Sequence, residues 1–560
     1  ATRSFNTVYA SFDIWKGIKF ASTFSYDFVM NKSRAWKDPR TSDGDDDNGR
    51  FSKDYNDITN MTWSNILTYQ TKIKKKHNLD LLAGYEINSK ESDGLGTTIS
   101  NFARWDKPEV NNGVVYQSMG GSNSTTRIVS YITRANYDYD NKYYLGASWR
   151  TDGSSRLARE NRWGNFWSLS GAWRVSSESF MKPLQNWLSD LKLRVSYGVN
   201  GTLPSSYYGY MGLSSLTSNY NDNPGITQSQ LENKELTWET NYNFNSGIDL
   251  GFFDNRLNVT FEYYVRTTKN LLYSRPLSLA TGFSSYLANI GKLQNKGYEL
   301  EIRSTNIETK DFRWSTSLNL GHNANKILKL DGDLKQVTSG TSIHKVGLPY
   351  STYYMIEFAG IDPVDGEPMF YKNTTDENGN LNKETTKDPR SAEKVILQCA
   401  DPTITGGLGN SISYKWFDLN FNVNFSFGAW NYDGAAGKLE HGGDGTLNIP
   451  IYYRKRWQKE GDETSIERFV VGRSISMTDY ATTRRLYSGD YVRLKNLTFG
   501  FTLPKTWTRK VGIDNIRLYA SGNNLLTWAA YDYIDPESGS SPSWDTPPMR
   551  TYTFGLEVKF

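Results

Sequence analysis

The chain of 560 residues has a single cysteine, Cys399, so no disulfide can form within it. It has four histidines, and His77, His322, His344 and His441 lie far apart, without the close spacing by which a helix pairs metal ligands. No run of about 18 apolar residues occurs, which excludes a transmembrane helix. No secretory leader heads the chain, because residues 1–30 alternate polar and apolar from the start; the expectation is that such a leader lies outside this chain. No charge of one sign dominates: 64 Lys and Arg stand against 60 Asp and Glu, which gives no electrostatic case for nucleic acid. The basic run Lys72, Lys74, Lys75, Lys76 and His77 fits a solvated turn or lipid headgroups better. Hydrophobic residues are few at 37%, yet aromatics are abundant at 14%. That balance suits an apolar shell with aromatic girdles better than a solid core.

A period of two runs through nearly the whole chain. In 417–427 Phe417, Leu419, Phe421, Val423, Phe425 and Phe427 alternate with Asp418, Asn420, Asn422, Asn424 and Ser426. Successive strand side chains face opposite sides, so one face is apolar and the other polar. The same split recurs in 191–200, 257–266 and 552–560. Segments of about ten residues, about 17 of them, exceed the usual strand length and match membrane barrels. Long connections are expected near 31–56, 92–125, 153–165, 202–235, 270–292, 324–403, 430–490 and 527–550. Short ones fall between them, near 14–16, 70–75, 139–140, 177–189, 252–255, 306–310, 415–416 and 503–515. Outer-membrane barrels sort their loops in this way, long outside and short in the periplasm. The expected fold is therefore all-β, a transmembrane antiparallel barrel. An odd strand count and a start within a strand-like stretch (Phe5 to Ile14) suggest that further strands lie outside the chain.

Charges stay off the apolar faces. They gather on the other face, at Arg194, Glu262, Arg266, Glu299, Glu301, Arg303, Arg313, Asp418 and Glu557, which is expected to meet water or a polar plug. Gly500 and Gly555 fall on that face too, where a missing side chain leaves room for a plug or a close strand.

Several stretches resemble the SusC/RagA family of TonB-dependent outer-membrane transporters. They include Tyr-Tyr-Leu-Gly-Ala-Ser-Trp-Arg-Thr-Asp-Gly-Ser-Ser-Arg at 143–156, Asn-Arg-Trp-Gly at 161–164 and Leu-Ser-Asp-Leu-Lys-Leu-Arg-Val-Ser-Tyr-Gly at 188–198. Others are Asn-Lys-Gly-Tyr-Glu-Leu at 295–300, Asp-Pro-Thr-Ile-Thr-Gly-Gly-Leu-Gly-Asn at 401–410 and Lys-Trp-Phe-Asp-Leu at 415–419. The strongest is Tyr-Val-Arg-Leu-Lys-Asn-Leu-Thr-Phe-Gly-Phe-Thr-Leu-Pro at 491–504, followed by 518–527 and the terminal 550–560. The resemblance implies the C-terminal part, residues 1–560, of a roughly 22-stranded barrel. It further implies a plug domain outside this chain, a SusD-like lipoprotein lid and energy from TonB–ExbB–ExbD through an N-terminal region not in this chain. Glycan or peptide substrates follow from it, and no cofactor.

In such a protein loop aromatics could stack on sugar rings or pack peptide side chains. The candidates are Trp105, Tyr207, Tyr208, Tyr210, Tyr286, Trp430, Tyr432, Trp528, Tyr531, Tyr533 and Trp544, each with loop packing or an interfacial girdle as the plainer alternative. Two acidic segments, Asp43, Asp45, Asp46, Asp47 and Asn48, and Asp376, Asn378 and Asn380, depart from a calcium-loop pattern and read better as solvated loops. Gly406-Gly407-Leu408-Gly409 sits in a strand with no helix after it and is no phosphate loop. Catalysis is not expected. The alternatives are a siderophore or cobalamin receptor, which shares the barrel without these motifs, and a glycan-binding outer-membrane adhesin.

Overall fold

The computed structural model describes the chain except residues 222, 331, 333, 378, 444–447, 473–479, 532 and 539–547. Among the described residues, seventeen strands form one sheet. No helix among the described residues is long and apolar enough to cross a membrane. Two compact units divide the chain. One is Ala1–Arg174, Arg194–Phe244 and Thr267–Gly291; the other is Val175–Leu193, Asn245–Arg266 and Lys292–Phe560.

The first unit is built on an antiparallel meander. Its strands are Thr2–Trp15, Ile18–Lys37, Arg50–Ile73, His77–Phe102, Gly113–Tyr139, Tyr143–Ser154 and Trp163–Arg174, each paired with the next. Register keeps one face apolar across strands: Trp63 opposes Ile87, Ile87 opposes Val129, and Trp149 opposes Trp167. Rings line up along this face in two rows. Tyr85, Tyr131 and Trp163 form one, with centroids 5.3 and 6.2 Å apart; Tyr139, Tyr143 and Trp173 form the other, at 6.3 and 6.4 Å. Trp163 and Trp173 are ten residues apart on one strand, roughly 33 Å along it at about 3.3 Å per residue. A tilt of about 40° brings that to about 25 Å, the height of an outer-membrane barrel's apolar band between its girdles.

The second unit repeats the plan with Lys292–Glu308, Phe312–Lys329, Ile404–Tyr414, Phe417–Phe427, Tyr491–Thr502, Asn515–Ala529 and Thr551–Lys559. Three further strands, Leu188–Thr202, Glu239–Phe252 and Leu257–Lys269, have residues in both units. Val423 opposes Leu408 on one side and Leu494 on the other, so the apolar stripe of 417–427 extends over its neighbours. An arginine at Val423 would sit near the middle of that stripe. Val423→Arg is expected to destabilise the folded barrel by about 2–4 kcal/mol. Asn424→Arg, one residue on and on the polar face, is expected to be tolerated. Urea midpoints of the protein folded into lipid vesicles compare the two.

The connections are shorter or more ordered than the sequence pattern suggests. Residues 31–37 and 50–56 are strand, and 92–102 pairs with 113–124, so the expected loops at 31–56 and 92–125 contract to 38–49 and 103–112. A strand of 26 residues runs about 85 Å, far beyond a membrane's thickness. Toward this end Phe51, Ile99 and Phe102 pack into a small core of their own, and the regular alternation that marks a membrane strand disappears. The expected loops at 202–235 and 270–292 hold hairpins, Leu213–Tyr220 with Asn223–Gln230 and Leu272–Pro276 with Ser285–Asn289. The expected loop 324–403 begins inside the strand Phe312–Lys329, and its described residues beyond that strand include a four-stranded and a three-stranded sheet of their own.

Candidate functional site

The polar face of the second unit carries most of the charged wall. Cross-strand pairing puts Glu299 beside Gly321, Glu301 beside Asn319 and Arg303 beside Ser317. The next strands add Gly407 and Gly409, then Asn424 and Asn422. A recess of about 710 Å³ opens there, lined by Glu262, Glu299, Glu301, Asn319, Asn424 and Tyr491 among others. Small residues, Gly321, Thr405, Gly407 and Ser426, line much of it. A second recess, of about 330 Å³, is lined by Arg256 and Arg303 and a set of Ser and Asn side chains. The wall is therefore zoned, acidic in one hollow and basic in the next. Arg303 meets Glu301 at 2.5 Å, Arg313 meets Glu308 at 3.8 Å, and Asp418 meets Arg517 at 2.7 Å. Arg266 lies exposed two places along the same strand face as Tyr264, and Arg194 belongs to the first unit.

Gly500 and Gly555 do not leave open space for another domain. The room at Gly500 is filled by the Asp418–Arg517 pair, and that at Gly555 by the ring of Tyr519. A Cβ at Gly555 would lie 2.2 Å from the Tyr519 ring, and the Arg517 guanidinium sits 5.3 Å from that ring's centroid. The sequence signal was correct about missing bulk; the chain's own side chains take the space. Gly555→Leu is expected to lower stability by about 1–3 kcal/mol through overpacking. A lower temperature for loss of the compact, heat-modifiable band in gel electrophoresis reads this out.

The loop aromatics fall into separate groups. In the first unit, Arg40 lies 3.4 Å over the exposed Trp105 ring, and Arg156 lies 4.3 Å over Tyr207. The Tyr208 hydroxyl accepts from the Thr125 N–H at 2.9 Å. Tyr210 packs on a core of Leu157, Phe166, Leu236 and Trp238, and the Tyr286 hydroxyl is 3.4 Å from Arg275. In the second unit, Trp430 and Tyr432 pack on Tyr353, Met355 and Leu486. Trp528 opposes Val492 within a strand, on the apolar face. Trp544 and Asn378 lie outside the described residues. The acidic loop side chains serve their own turns: Asp43 accepts from Thr41 at 2.7 Å, Asp47 pairs with Arg50 at 2.6 Å, and Asp376 accepts from the Asn380 N–H at 2.7 Å.

Tyr531 and Tyr533 belong to a larger assembly that the sequence pattern missed in part. Tyr531 stacks flat on Tyr487 at 3.7 Å; Tyr533 meets Tyr531 at 5.3 Å and Tyr452 at 5.2 Å. Beneath them lies a buried ion network. Glu467, fully buried, accepts from the Tyr453 hydroxyl at 3.0 Å and pairs with Arg484. Glu440 takes Arg485 at 3.3 Å, Arg484 at 3.6 Å and the Tyr452 hydroxyl at 2.6 Å. Asp433 accepts the Tyr531 hydroxyl at 3.0 Å while capping the short helix Gly434–Leu439 through the Ala436 N–H. Burial, reinforced by these carboxylates, pushes the Tyr452, Tyr453 and Tyr531 phenols up, so each stays a neutral donor. The visible hint was the Tyr452-Tyr453 and Arg484-Arg485 doublets within one long loop.

The family model described as TonB dependent receptor-like, beta-barrel matches residues 2–525. TonB-dependent receptor P3 of Formosa agariphila is 32% identical over 593 residues, covering 99% of this chain and 57% of that protein. TonB-dependent receptor SusC of Bacteroides thetaiotaomicron is 30% identical over 461 residues, covering 77% of this chain and 44% of that one. Among solved structures, the RagAB peptide transporter superposes with a TM-score of 0.88 at 27% identity, over 100% of this chain and 62% of that one. The copper transporter OprC, at 10% identity and a TM-score of 0.51, shares the fold alone. The chain thus spans about half the length of the curated relatives it matches, 44–58% of each. It belongs to the TonB-dependent receptor β-barrel family of the outer membrane, in its SusC/RagA branch.

Proposed function

We propose that the protein this chain belongs to imports large nutrients, oligosaccharides or oligopeptides, across the outer membrane. A surface lipoprotein of the SusD kind covers its outer mouth, and TonB–ExbB–ExbD supplies energy through an N-terminal region. The observation that carries this reading is the end-to-end superposition on the RagAB peptide transporter, together with 30% identity to SusC. In this reading the sheet closes into a barrel with further strands, and the long connections lie outside the cell. The zoned polar wall then faces the lumen, where Glu262, Glu299, Glu301, Arg303, Arg313 and Asp418 contact a plug domain or passing solute. No catalytic step is required of any residue.

The test is extraction of the native protein in mild detergent, with mass spectrometry of all that co-purifies. A stoichiometric SusD-like lipoprotein and a plug in the same complex are expected. A barrel that emerges alone would instead favour a receptor without a lid, or an adhesin.

A further inference from the structure

A hairpin turn whose two central residues both need φ above zero forms most readily with Asn, Asp or Gly there. The turn at 140–141 obeys this rule, with Asp140 at φ 56° and Asn141 at φ 54°. It is closed by the Lys142 N–H, which donates to the Tyr139 carbonyl at 2.9 Å. The turn between Arg50–Ile73 and His77–Phe102 has the same form, closed by the Lys76 N–H on the Ile73 carbonyl at 3.2 Å. Its central residues are Lys74 at φ 49° and Lys75 at φ 60°. Lysine has no short polar side chain to steady that backbone, so charge is kept here against local preference. The charge continues along one rim of the first unit. The Gly17 carbonyl accepts from the Gln70 N–H at 2.8 Å, and the Lys76 carbonyl from the Asp140 N–H at 2.7 Å. The turns 16–17, 74–76 and 140–142 therefore follow one another along that rim. They carry Lys16, Lys74, Lys75, Lys76 and Lys142 against one acid, Asp140, which takes Lys76 at 3.4 Å. Lys16, Lys74 and Lys75 are exposed and form no ion pair among the described residues. Rings lie beside the turns on the apolar face. Trp15, exposed, opposes Ile18; Ile73 opposes His77, whose ring is 5.0 Å from Tyr139, the first of the row Tyr139, Tyr143 and Trp173.

We propose that these turn lysines bind the phosphodiester headgroups of anionic phospholipid in the periplasmic leaflet. The choice of leaflet rests on the import reading, which puts the short turns in the periplasm; the lipid contact itself does not. Three observations converge on lipid. The ring row marks the level at which hydrocarbon gives way to headgroups. The lysines stand one to a few residues beyond it, within reach of phosphates for a flexible ammonium-tipped chain. Several such cations at one membrane surface add their attractions for anionic lipid, and salt screens the sum. An acidic protein surface would also attract the lysines, but nothing in its chemistry calls for exposed rings and Ile73 beside them. The doublet Lys74-Lys75 is the sharpest part of the site, because its charge is placed where the backbone favours Asn-Gly.

The experiment uses the full-length protein folded into phosphatidylcholine vesicles, with a minor share of brominated phosphatidylglycerol or brominated phosphatidylcholine. In a background with Cys399→Ser and no other cysteine, a fluorophore is placed on Thr71→Cys, on the same strand face as Ile73. A second label on Met61→Cys lies ten residues away along that face, towards the long connections. At 71, brominated phosphatidylglycerol is expected to quench about threefold more effectively than brominated phosphatidylcholine. At 61 the two should quench alike. Raising the salt from about 0.1 to about 0.5 M should bring the ratio at 71 close to one. Lys74→Asn with Lys75→Gly should remove most of the preference, yet leave the heat-modifiable band at least as heat-resistant as in the parent. Lys74→Arg with Lys75→Arg should keep the preference. A preference that survives the Asn-Gly pair, or that is equal at 61 and 71, overturns the proposal. No preference at 71 overturns it too and hands the lysines to an acidic protein surface. Extraction of a barrel without a lid removes the import reading and leaves the lipid contact standing. A lid present with no lipid preference does the reverse.

Discussion

Replacing Arg493 by alanine is expected to release the segment 530–538 from the wall, at a local cost of about 3–5 kcal/mol. The guanidinium is almost wholly buried, 2% exposed, and makes three charge-assisted contacts, to Asp535, Glu537 and the Thr527 hydroxyl at 3.0 Å. Removing it leaves Asp535 without its cation in a position too dry to hydrate it fully, while Glu537 keeps Lys495. Most of the cost therefore comes from a stranded carboxylate, not from lost attraction. Neutralising both acids in the same background, with Asp535→Asn and Glu537→Gln, should recover much of the loss. Hydrogen exchange across 530–538 is the suitable measurement, because the meander of long strands will keep its own protection. Exchange in 530–538 that stays slow in Arg493→Ala would show that other contacts hold the loop.

A second large effect is expected at Glu467. This carboxylate has no exposure to solvent and holds both Arg484 and the Tyr453 hydroxyl. Glu467→Ala leaves Arg484, itself 11% exposed, with one carboxylate among the described residues, Glu440 at 3.6 Å, which Arg485 and Tyr452 already share. A loss of about 3–5 kcal/mol in the stability of this loop follows. It should appear as proteolytic cutting within 430–490 under conditions where the parent protein is intact, with the barrel itself still folded. Pairing Glu467→Ala with Arg484→Ala isolates the coupling: the double change should cost clearly less than the sum of the two single ones. Strict additivity would mean that the pair contributes nothing of its own.

Both effects lie where the sequence was hard to read. The strand 417–427 was legible because the membrane imposes a rule on it: one face must be apolar and the other not. The register confirms that rule across its neighbours, with Val423 between Leu408 and Leu494. Beyond the membrane the rule lapses. Residues 92–102 and 113–124 pair as strands, yet they carry no continuous apolar stripe, only Ile99 and Phe102 packed with Phe51 in a small core, so their sequence shows no period and reads as loop. The motif at 491–504 stood out by resemblance alone. The structure supplies its physical reason, because Arg493 and Lys495 hold a loop more than forty residues on. Tyr531 and Tyr533 were legible as loop aromatics. Tyr452 showed only as half of a doublet and Tyr487 not at all, since nothing local says that two points of a long loop will converge on them. The glycines were half legible: Gly555 signals missing bulk, but only the fold shows that Tyr519 takes the place.

The central claim is that alternate residues of these strands face lipid and water. It is tested most directly by fluorescence quenching along 417–427. Single cysteines at each position, in a background where Cys399 is replaced by serine, would carry a fluorophore in protein folded into lipid vesicles. Labels at 419, 421 and 423 should be quenched by brominated lipid chains and spared by iodide. Labels at 420, 422 and 424 should behave oppositely. A period of two in both quenchers, out of phase, is the predicted result. Equal iodide access at every position, or quenching without alternation, would contradict the account.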